Sequence, residues 1–417
     1  MNGISARVDA VWRIESARIV ATLGKMTGDV GAAEDLAQDA LVEALHQWPR
    51  DGVPDNPGAW LTAVAKRRAI DQWRRRERLD DRYRQLATTL EESTDEQWEP
   101  IDDDVLRLVF TACHPVLSRE AQVALTLRIV AGLSTEEIAR LYFVPVATVQ
   151  QRIVRAKKTI SAAKVPFETP GPPEWKGRLD GVLSVVYLVF TEGYAATTGP
   201  DWMRTDLANE ALRLGRTLAA LLPREPEVNA LVALMELQAA RFGARTRADG
   251  TPVLLTEQDR TRWDRSQIAR GRAALWRADS LGRGRGPYAL QAAIAECHAV
   301  APTADETDWE RIVLLYEALG RIAPSPVVEL NRAAAVAMST GPATALKIID
   351  GLSEQGVLRG SHLLPSVRGE LLAQLGRTRE ALSELRSAAQ LAGNERERDV
   401  LLAKAARLRD PDNMVEP

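Results

Sequence analysis

Apolar residues recur every three or four positions along most of the chain. This spacing predicts amphipathic helices over residues 6–26, 29–48 and 57–79. Asn56 can act as the N-cap of the third helix, and Pro57 can occupy its first position, where the missing N–H costs nothing. The period-two alternation typical of strands is almost absent. The pattern therefore predicts an all-α fold.

A second group of helical segments runs from about Val105 to Lys164, after an acidic stretch of low apolar content. The sequence VPFETPGPPEW that follows is rich in proline and predicts a break that no helix crosses. Helical patterns then continue to the C-terminus. The predicted divisions are a first domain 1–84, an acidic linker 85–104, a second domain 105–165, a Pro-rich linker 166–175 and a helical extension 176–417.

Two segments near the C-terminus resemble each other. NRAAAVAMSTGPATALKIIDGL (331–352) and GELLAQLGRTREALSELRSAAQL (369–391) each place a glycine, Gly341 and Gly376, between two apolar helical patterns. Their spacing of roughly 35 residues is close to the tetratricopeptide period. We therefore expect a helical-hairpin array at this end of the chain, and residues 176–320 are expected to extend it in degenerate form.

Composition narrows the class of protein. The 417 residues carry a formal charge of -3 and 45% hydrophobic content, which predicts a soluble protein of two or three domains. Cys113 and Cys297 are the only cysteines, so no disulfide framework is expected and a reducing cytoplasm is the natural compartment. The most apolar run, 182–190, is too short to cross a bilayer. We expect neither secretion nor membrane insertion.

The most specific motif lies in residues 134–158. Ser134 and Glu137 have the spacing of a capping box, and Phe-Val-Pro at 143–145 ends that helix, so that a second helix begins near Val146. Phe143 stands at the turn position where glycine is usual. Apolar residues are spaced to pack the two helices together: Ile138, Ala139, Val149 and Ile153. This pattern predicts a helix-turn-helix.

The second helix of this motif carries polar and basic side chains. Gln and Arg can contact base edges in the major groove, while Lys and Arg can neutralise phosphates. The alternative is an ordinary helical hairpin with a solvated basic face. The candidate residues for duplex DNA are Thr148, Gln150, Gln151, Arg152, Arg155, Lys157 and Lys158.

The predicted helix 57–79 is a second basic element. Its cations can bind phosphates of any sequence, and an indole among them can stack on an unpaired base. Trp60 lies among apolar residues in the first turn and is expected to pack in the core, whereas core packing and a DNA contact both stay open for Trp73. The candidate residues for melted DNA are Lys66, Arg67, Arg68, Asp71, Trp73, Arg74 and Arg75.

The order of these parts resembles the extracytoplasmic-function sigma factors of the sigma-70 superfamily, over about residues 6–164. The resemblance implies binding to core RNA polymerase, through the β′ clamp helices and the β subunit, and to promoter DNA. The sequence GDVGAAEDLAQDALVEALHQW (28–48) is similar to the family's polymerase-docking helix. On this resemblance the contact residues are Asp35, Leu36, Gln38 and Asp39. The alternative for them is a plain amphipathic helix.

The resemblance also assigns roles to the two basic elements. The loop 49–57 is similar to one that captures a flipped minus-10 base, and the helix after it is similar to the segment that melts minus-10 DNA. Arg67 stands where the family commonly has Asn. Residues 134–158 resemble region 4, which binds the minus-35 element, and the acidic linker would run near the polymerase active site and RNA-exit path.

The C-terminal half, with VVYLVFTEGYAATTG (185–199) and the later repeats, resembles the extension of a subgroup in which a tetratricopeptide-like domain follows the sigma module. That implies regulation in cis, or through a protein partner of the extension. Two other functions stay open: a polymerase-independent helix-turn-helix regulator with a protein-binding repeat domain, and an enzyme in residues 176–417.

Motifs for catalysis, cofactors and metals are weak. The pairs Cys113-His114 and Cys297-His298 each lack the second close pair that a structural zinc site needs, so buried thiol packing is expected. No nucleophile and base stand in a recognisable arrangement. We expect no enzyme activity, no cofactor and no metal.

Overall fold

The computed structural model describes residues 3–77, 102–142, 144–194, 203–247 and 251–408. Within these ranges the regular structure is helical, apart from an isolated β-bridge between Thr246 and Pro252. The predicted all-α fold is confirmed. The chain divides into two compact units, residues 1–186 and 187–417. In the described part of the chain, no helix combines the length and the apolar composition of a membrane-spanning segment.

The first unit begins with three helices that pack on one another, α1 (Gly3–Thr27), α2 (Val30–Asp51) and α3 (Pro57–Glu77). The Asn56 side chain accepts a hydrogen bond from the Ala59 N–H at 3.1 Å, so the predicted N-cap of α3 is confirmed. α2 continues past its predicted end at residue 48, because Pro49 is accommodated in its last turn. The Gly52 N–H then closes on the Trp48 carbonyl at 3.0 Å.

Four helices complete the next part of this unit: α4 (Asp102–Ala112), α5 (Arg119–Ile129), α6 (Thr135–Tyr142) and α7 (Val146–Ala162). The predicted capping box is present. The Ser134 N–H donates to Glu137 Oε2 at 2.8 Å, and the Glu137 N–H donates to Ser134 Oγ at 3.1 Å. The residues predicted to pack α6 on α7 are all buried: Ile138, Ala139, Val149 and Ile153. The helix-turn-helix prediction is confirmed, although Phe143 lies outside the described residues.

The next helix, α8 (Pro172–Tyr194), begins inside the predicted linker 166–175. Proline suits the first turn of a helix, whose N–H groups lack helical partners. The Trp175 ring lies 5.3 Å from that of Phe110, and Arg178 donates to the Phe110 carbonyl at 2.9 Å. The start of α8 therefore packs on α4, and the first compact unit extends to residue 186 instead of residue 165.

The second unit is a succession of helices in which chain neighbours pack together. Small residues allow close approach. A Cβ on Gly271 would lie 2.7 Å from Leu237 Cγ, and the surrounding core contains many alanines. After the end of α8 the helices are α9 (Thr205–Leu221), α10 (Pro226–Ala239), α11 (Arg265–Ser280), α12 (Pro287–Val300), α13 (Trp309–Ile322), α14 (Pro326–Ser339), α15 (Pro342–Glu354), α16 (Leu363–Gln374), α17 (Thr378–Leu391) and α18 (Glu395–Arg407).

The two similar segments form two helical hairpins, α14 with α15 and α16 with α17. Gly341 and Gly376 stand at the turns with φ of 107° and 73°, a conformation that favours glycine. Ala345 and Ala381, at corresponding positions, are fully buried. The predicted repeat is confirmed.

Candidate nucleic-acid and polymerase interface

The second helix of the helix-turn-helix, α7, has one buried and one solvent-facing side. Positions three, four and seven residues apart share a helix face. Thr148 and Arg152 are half-buried at one edge of the exposed side. Four of the residues predicted to contact duplex DNA are exposed: Gln150, Gln151, Arg155 and Lys158. The fold therefore presents amide and cationic groups together on one surface.

Lys157 is the exception among the predicted DNA contacts. It donates hydrogen bonds to Glu34 and to Asp35, the latter at 2.9 Å to Oδ1. Burial alone would lower the pKa of Lys157, but the two carboxylates raise the pKa above its ordinary value. The structure thus pairs a predicted minus-35 residue with a predicted polymerase-binding residue.

Glu34, which sequence reasoning missed, joins three helices. Its side chain is 4% exposed and accepts from Arg128 Nε of α5 at 2.8 Å, as well as from Lys157 of α7. A buried carboxylate needs such partners, because an unpaired charge is costly in the interior. The sequence feature that could have indicated its burial is the position of this acid between Ala33 and Leu36 on the apolar side of α2.

Other contacts hold helices α1–α3 against the helix-turn-helix. Arg13 Nη2 donates to Glu137 Oε1 at 2.5 Å, so the capping-box acid also accepts from α1. Ser161 Oγ lies 3.2 Å from Asp29 Oδ2. At Gly132, whose φ is 72°, a Cβ would lie 2.4 Å from a side-chain oxygen of α1. The two parts therefore form one closely packed unit.

The predicted polymerase-binding residues lie on α2 with different exposure. The Asp35 side chain is 73% exposed and the Asp39 side chain 49%, while Gln38 is half-buried and Leu36 lies in the core. Val42, one turn beyond Asp39 on the same face, is 50% exposed. The outer face of α2 thus carries both acidic and apolar side chains. Val42 was not among the residues predicted from the sequence to contact polymerase.

A groove of about 540 Å³ lies between α2 and α3. It brings together one predicted polymerase residue, Asp39, and three predicted minus-10 residues, Arg67, Arg68 and Asp71. Arg68 donates to Glu43 at 2.7 Å and lies 3.6 Å from Asp39 Oδ2. Arg67 is exposed and forms no ion pair within the part of the chain that the structure describes. Its charge is thus more available to DNA than that of Arg68.

Trp60 forms one wall of this groove. Its ring meets that of Trp48 edge to face, with centroids 5.4 Å apart, so the predicted packing on the core is confirmed. The sequence predicted only the core contact of Trp60 and not its place in the groove wall. Lys66 is half-buried, whereas Trp73, Arg74 and Arg75 lie in the last turns of α3 with side chains outside the described part. The acidic linker falls almost entirely in residues 78–101, also outside it.

The two cysteines are buried, as expected. The Cys113 thiol lies 3.4 Å from Thr126 Oγ1, and burial raises its pKa to about 11. Among the described residues, no group of His, Cys, Asp and Glu is placed to hold a metal ion.

The parts of the chain that form these surfaces match known protein families. Residues 13–79 match the family model for sigma-70 region 2, residues 107–160 match that for sigma-70 region 4, and residues 178–279 match a family of unknown function, DUF6596. An uncharacterized protein of Rhizobium meliloti is 45% identical over 377 residues, 88% of this chain and 87% of that protein.

Two curated sigma factors of Mycobacterium tuberculosis are similar to the N-terminal part. The probable ECF RNA polymerase sigma factor SigI is 27% identical over 38% of this chain and 56% of its own length. The ECF RNA polymerase sigma factor SigC is 27% identical over 40% of this chain and 84% of its own length. No solved structure matches the chain. The chain belongs to the extracytoplasmic-function sigma factors of the sigma-70 superfamily and carries a long helical C-terminal extension.

Proposed function

We propose that this sigma factor reads the minus-35 element with the exposed side of α7 and the minus-10 element with α3. The observation that carries the proposal is the exposed set Gln150, Gln151, Arg155 and Lys158 on the second helix of a capped helix-turn-helix. Such side chains can bond base edges and phosphates in the major groove. The protein acts by positioning DNA and polymerase, without catalysing bond chemistry, and works in the cytoplasm.

The minus-10 element would use the groove between α2 and α3. An indole wall suits stacking of a base taken out of the duplex, and Arg67 supplies an exposed cation for the phosphate beside it. Lys66, Arg68 and Asp71 lie on the same helix and would complete the contact. Arg74, Arg75 and Trp73 follow in the next turns.

Docking on core polymerase would use the outer face of α2, toward the β′ clamp helices, with a further contact to the β subunit. Asp35 and Asp39 supply charge, and Val42 supplies apolar area on the same face. Gln38 lies between them, and Leu36 supports the face from the core.

The arrangement seen here would have to open on a promoter. α3 and α7 both pack on α2, so their axes lie within about 20 Å of each other, at roughly 10 Å per packed pair. Elements near minus 10 and minus 35 lie about 25 base pairs apart, or ~85 Å of duplex at ~3.4 Å per pair. The chain length between α3 and α4 reaches at most about 80 Å, and α3 itself, about 30 Å long, adds to this reach, so the length permits the separation. We propose that the closed unit is a resting state.

The extension would regulate this opening, in cis or through a protein partner held by its helical hairpins. Support comes from its size and repeat architecture, since stacked helical hairpins present extended binding surfaces. We propose the domain divisions expected from the sequence up to residue 165, and we propose that the first part of α8, to residue 186, belongs with the sigma module.

Binding of purified core RNA polymerase tests the proposal. Asp39→Ala is expected to weaken the affinity of the full chain for core polymerase about tenfold, the loss of one charged contact. Gln47→Ala, on the same helix and in the same groove but outside the proposed docking residues, should bind as wild type does. Equal affinities of wild type and Asp39→Ala would contradict the docking surface. Absence of any core binding by wild type, together with specific binding to closed duplex, would favour a stand-alone regulator.

A further inference from the structure

The second unit contains a cavity of about 360 Å³ bordered by α10, α12, α13 and α14. We infer that this cavity is a binding site for a small organic carboxylate.

The polar lining of the cavity is rich in neutral hydrogen-bonding groups and has one strong cation, Arg241. Its described lining residues include no acid. The neutral polar residues that line it are Gln238, Gln291, Asn331, Tyr187 and Tyr316, and the Gln291 amide is held by the Tyr187 hydroxyl and the Pro287 carbonyl. Burial raises the pKa of Tyr187 and Tyr316 to about 12, so both hydroxyls stay protonated; the Tyr187 hydroxyl donates to Gln291 Oε1 at 3.3 Å, and the Tyr316 hydroxyl can donate to a ligand.

Arg241 is held by aromatic groups and not by an acid. Its guanidinium carbon lies 5.7 Å from the centroid of the Tyr194 ring and 5.9 Å from that of Trp263, and Nη2 donates to the Tyr194 hydroxyl. Within the described residues it forms no ion pair. An arginine fixed in this way keeps its charge uncompensated, and guanidinium is well suited to carboxylate geometry.

Two further features favour an anion at the same place. The first turn of α14 borders the cavity through Ser325, Val327 and Val328, and the N-terminus of a helix attracts negative charge. His298 also lines the cavity, and its Nδ1 atom is buried with no hydrogen-bond partner in the described structure. Burial lowers the pKa of His298 to about 3, so the ring is neutral near pH 7 and can bond a polar group of the ligand.

The size and the walls of the cavity limit the class of ligand. Its volume is near the lower end of small-molecule sites, which span roughly 300–1,000 Å³. Ile294, Leu319 and Val328 add apolar surface for a hydrocarbon body. A single carboxylate on a compact, partly apolar molecule with a hydrogen-bonding group matches these properties.

Ligand-observed NMR on the full chain tests the inference with defined probes: benzoate, 4-hydroxybenzoate and phenylacetate at millimolar concentration, beside the primary amide of each. At least one acid should bind, and its amide should bind at least about tenfold more weakly, since the charged hydrogen bonds are lost. Arg241→Gln should weaken that acid by a similar factor. Arg277→Gln removes the same charge from an exposed site on α11 and should leave binding unchanged.

Arg241 also contacts aromatic rings, so its replacement is checked by the thermal midpoint of unfolding. If Arg241→Gln does not fold, Tyr316→Phe decides the question, because it removes one hydroxyl and keeps the ring. A loss of acid binding in Tyr316→Phe supports the site. Equal binding of acids and amides, acid binding untouched by Tyr316→Phe, or no binding by any of the three acids would overturn the inference.

Discussion

Replacing Glu34 by glutamine is expected to open the closed sigma module. Glu34 lies on α2, while its partners Arg128 and Lys157 lie on the helix-turn-helix part. All three side chains are at most 15% exposed in the closed arrangement, and separation would return them to water. The substitution therefore weakens the closed state without removing a contact that the separated parts need.

The magnitude follows from the burial of this cluster. Removing one member of a buried ion pair costs ~3–5 kcal/mol, and glutamine keeps one oxygen that Arg128 can bond, so we take about 2 kcal/mol. That is a factor of ~30 in the equilibrium between closed and open forms. If polymerase binds only the open form, and that form is the minor one, the affinity for core polymerase should rise by up to the same factor.

Energy transfer between dyes reports the opening directly. Cysteines introduced at the exposed positions Gln47 and Thr159 carry the dyes, since the two native cysteines are buried. Glu34→Gln should lower the transfer efficiency and raise the affinity for core polymerase. Glu43→Gln is the matched control, because Glu43 is on the same helix but pairs with Arg68 of α3. Unchanged transfer and affinity in Glu34→Gln, in a folded protein, would refute the reasoning.

Four further outcomes are expected. Ser134→Ala should lower the free energy of unfolding by about 1 kcal/mol in urea titrations, because the capping box loses its hydroxyl acceptor. Arg155→Ala should weaken duplex promoter binding and reduce the salt slope by about 1, with core-polymerase affinity unchanged. The fragment 1–186 should have a higher thermal midpoint than 1–165, since it retains the start of α8. Burial lowers the pKa of His298 to about 3, so the folded protein keeps this ring neutral while the unfolded chain binds a proton below about pH 6.5. The free energy of unfolding should therefore fall by about 2 kcal/mol on this account between pH 7.5 and pH 5, and His298→Gln should remove that part of the fall.

Local features of the fold could be predicted because each depends on a few neighbouring residues. The capping box at Ser134 and Glu137, and the glycine turns at Gly341 and Gly376, are set by backbone geometry and hydrogen-bonding capacity within one or two turns. The repeat of helical hairpins followed from the same short-range signals.

Contacts between distant segments could not be predicted in the same way. From the sequence, Lys157 is a cation on a basic helix and a predicted DNA contact. Only the fold shows that it pairs with Glu34, more than a hundred residues away in sequence. Trp60 was predicted to pack in the core, and it does contact Trp48 there. It also lines the groove between α2 and α3, which depends on contacts with a second helix. The prolines of 165–175 predict a break in the chain, and only the fold shows that Pro172 begins a helix whose first turns pack on α4.

Transcription by purified core RNA polymerase on fragmented DNA of the source organism, with and without the full chain, tests the central claim most directly. Mapping of the RNA 5′ ends should give new, discrete start sites that share an upstream two-part motif. Start sites identical with and without the protein would contradict the proposed promoter recognition.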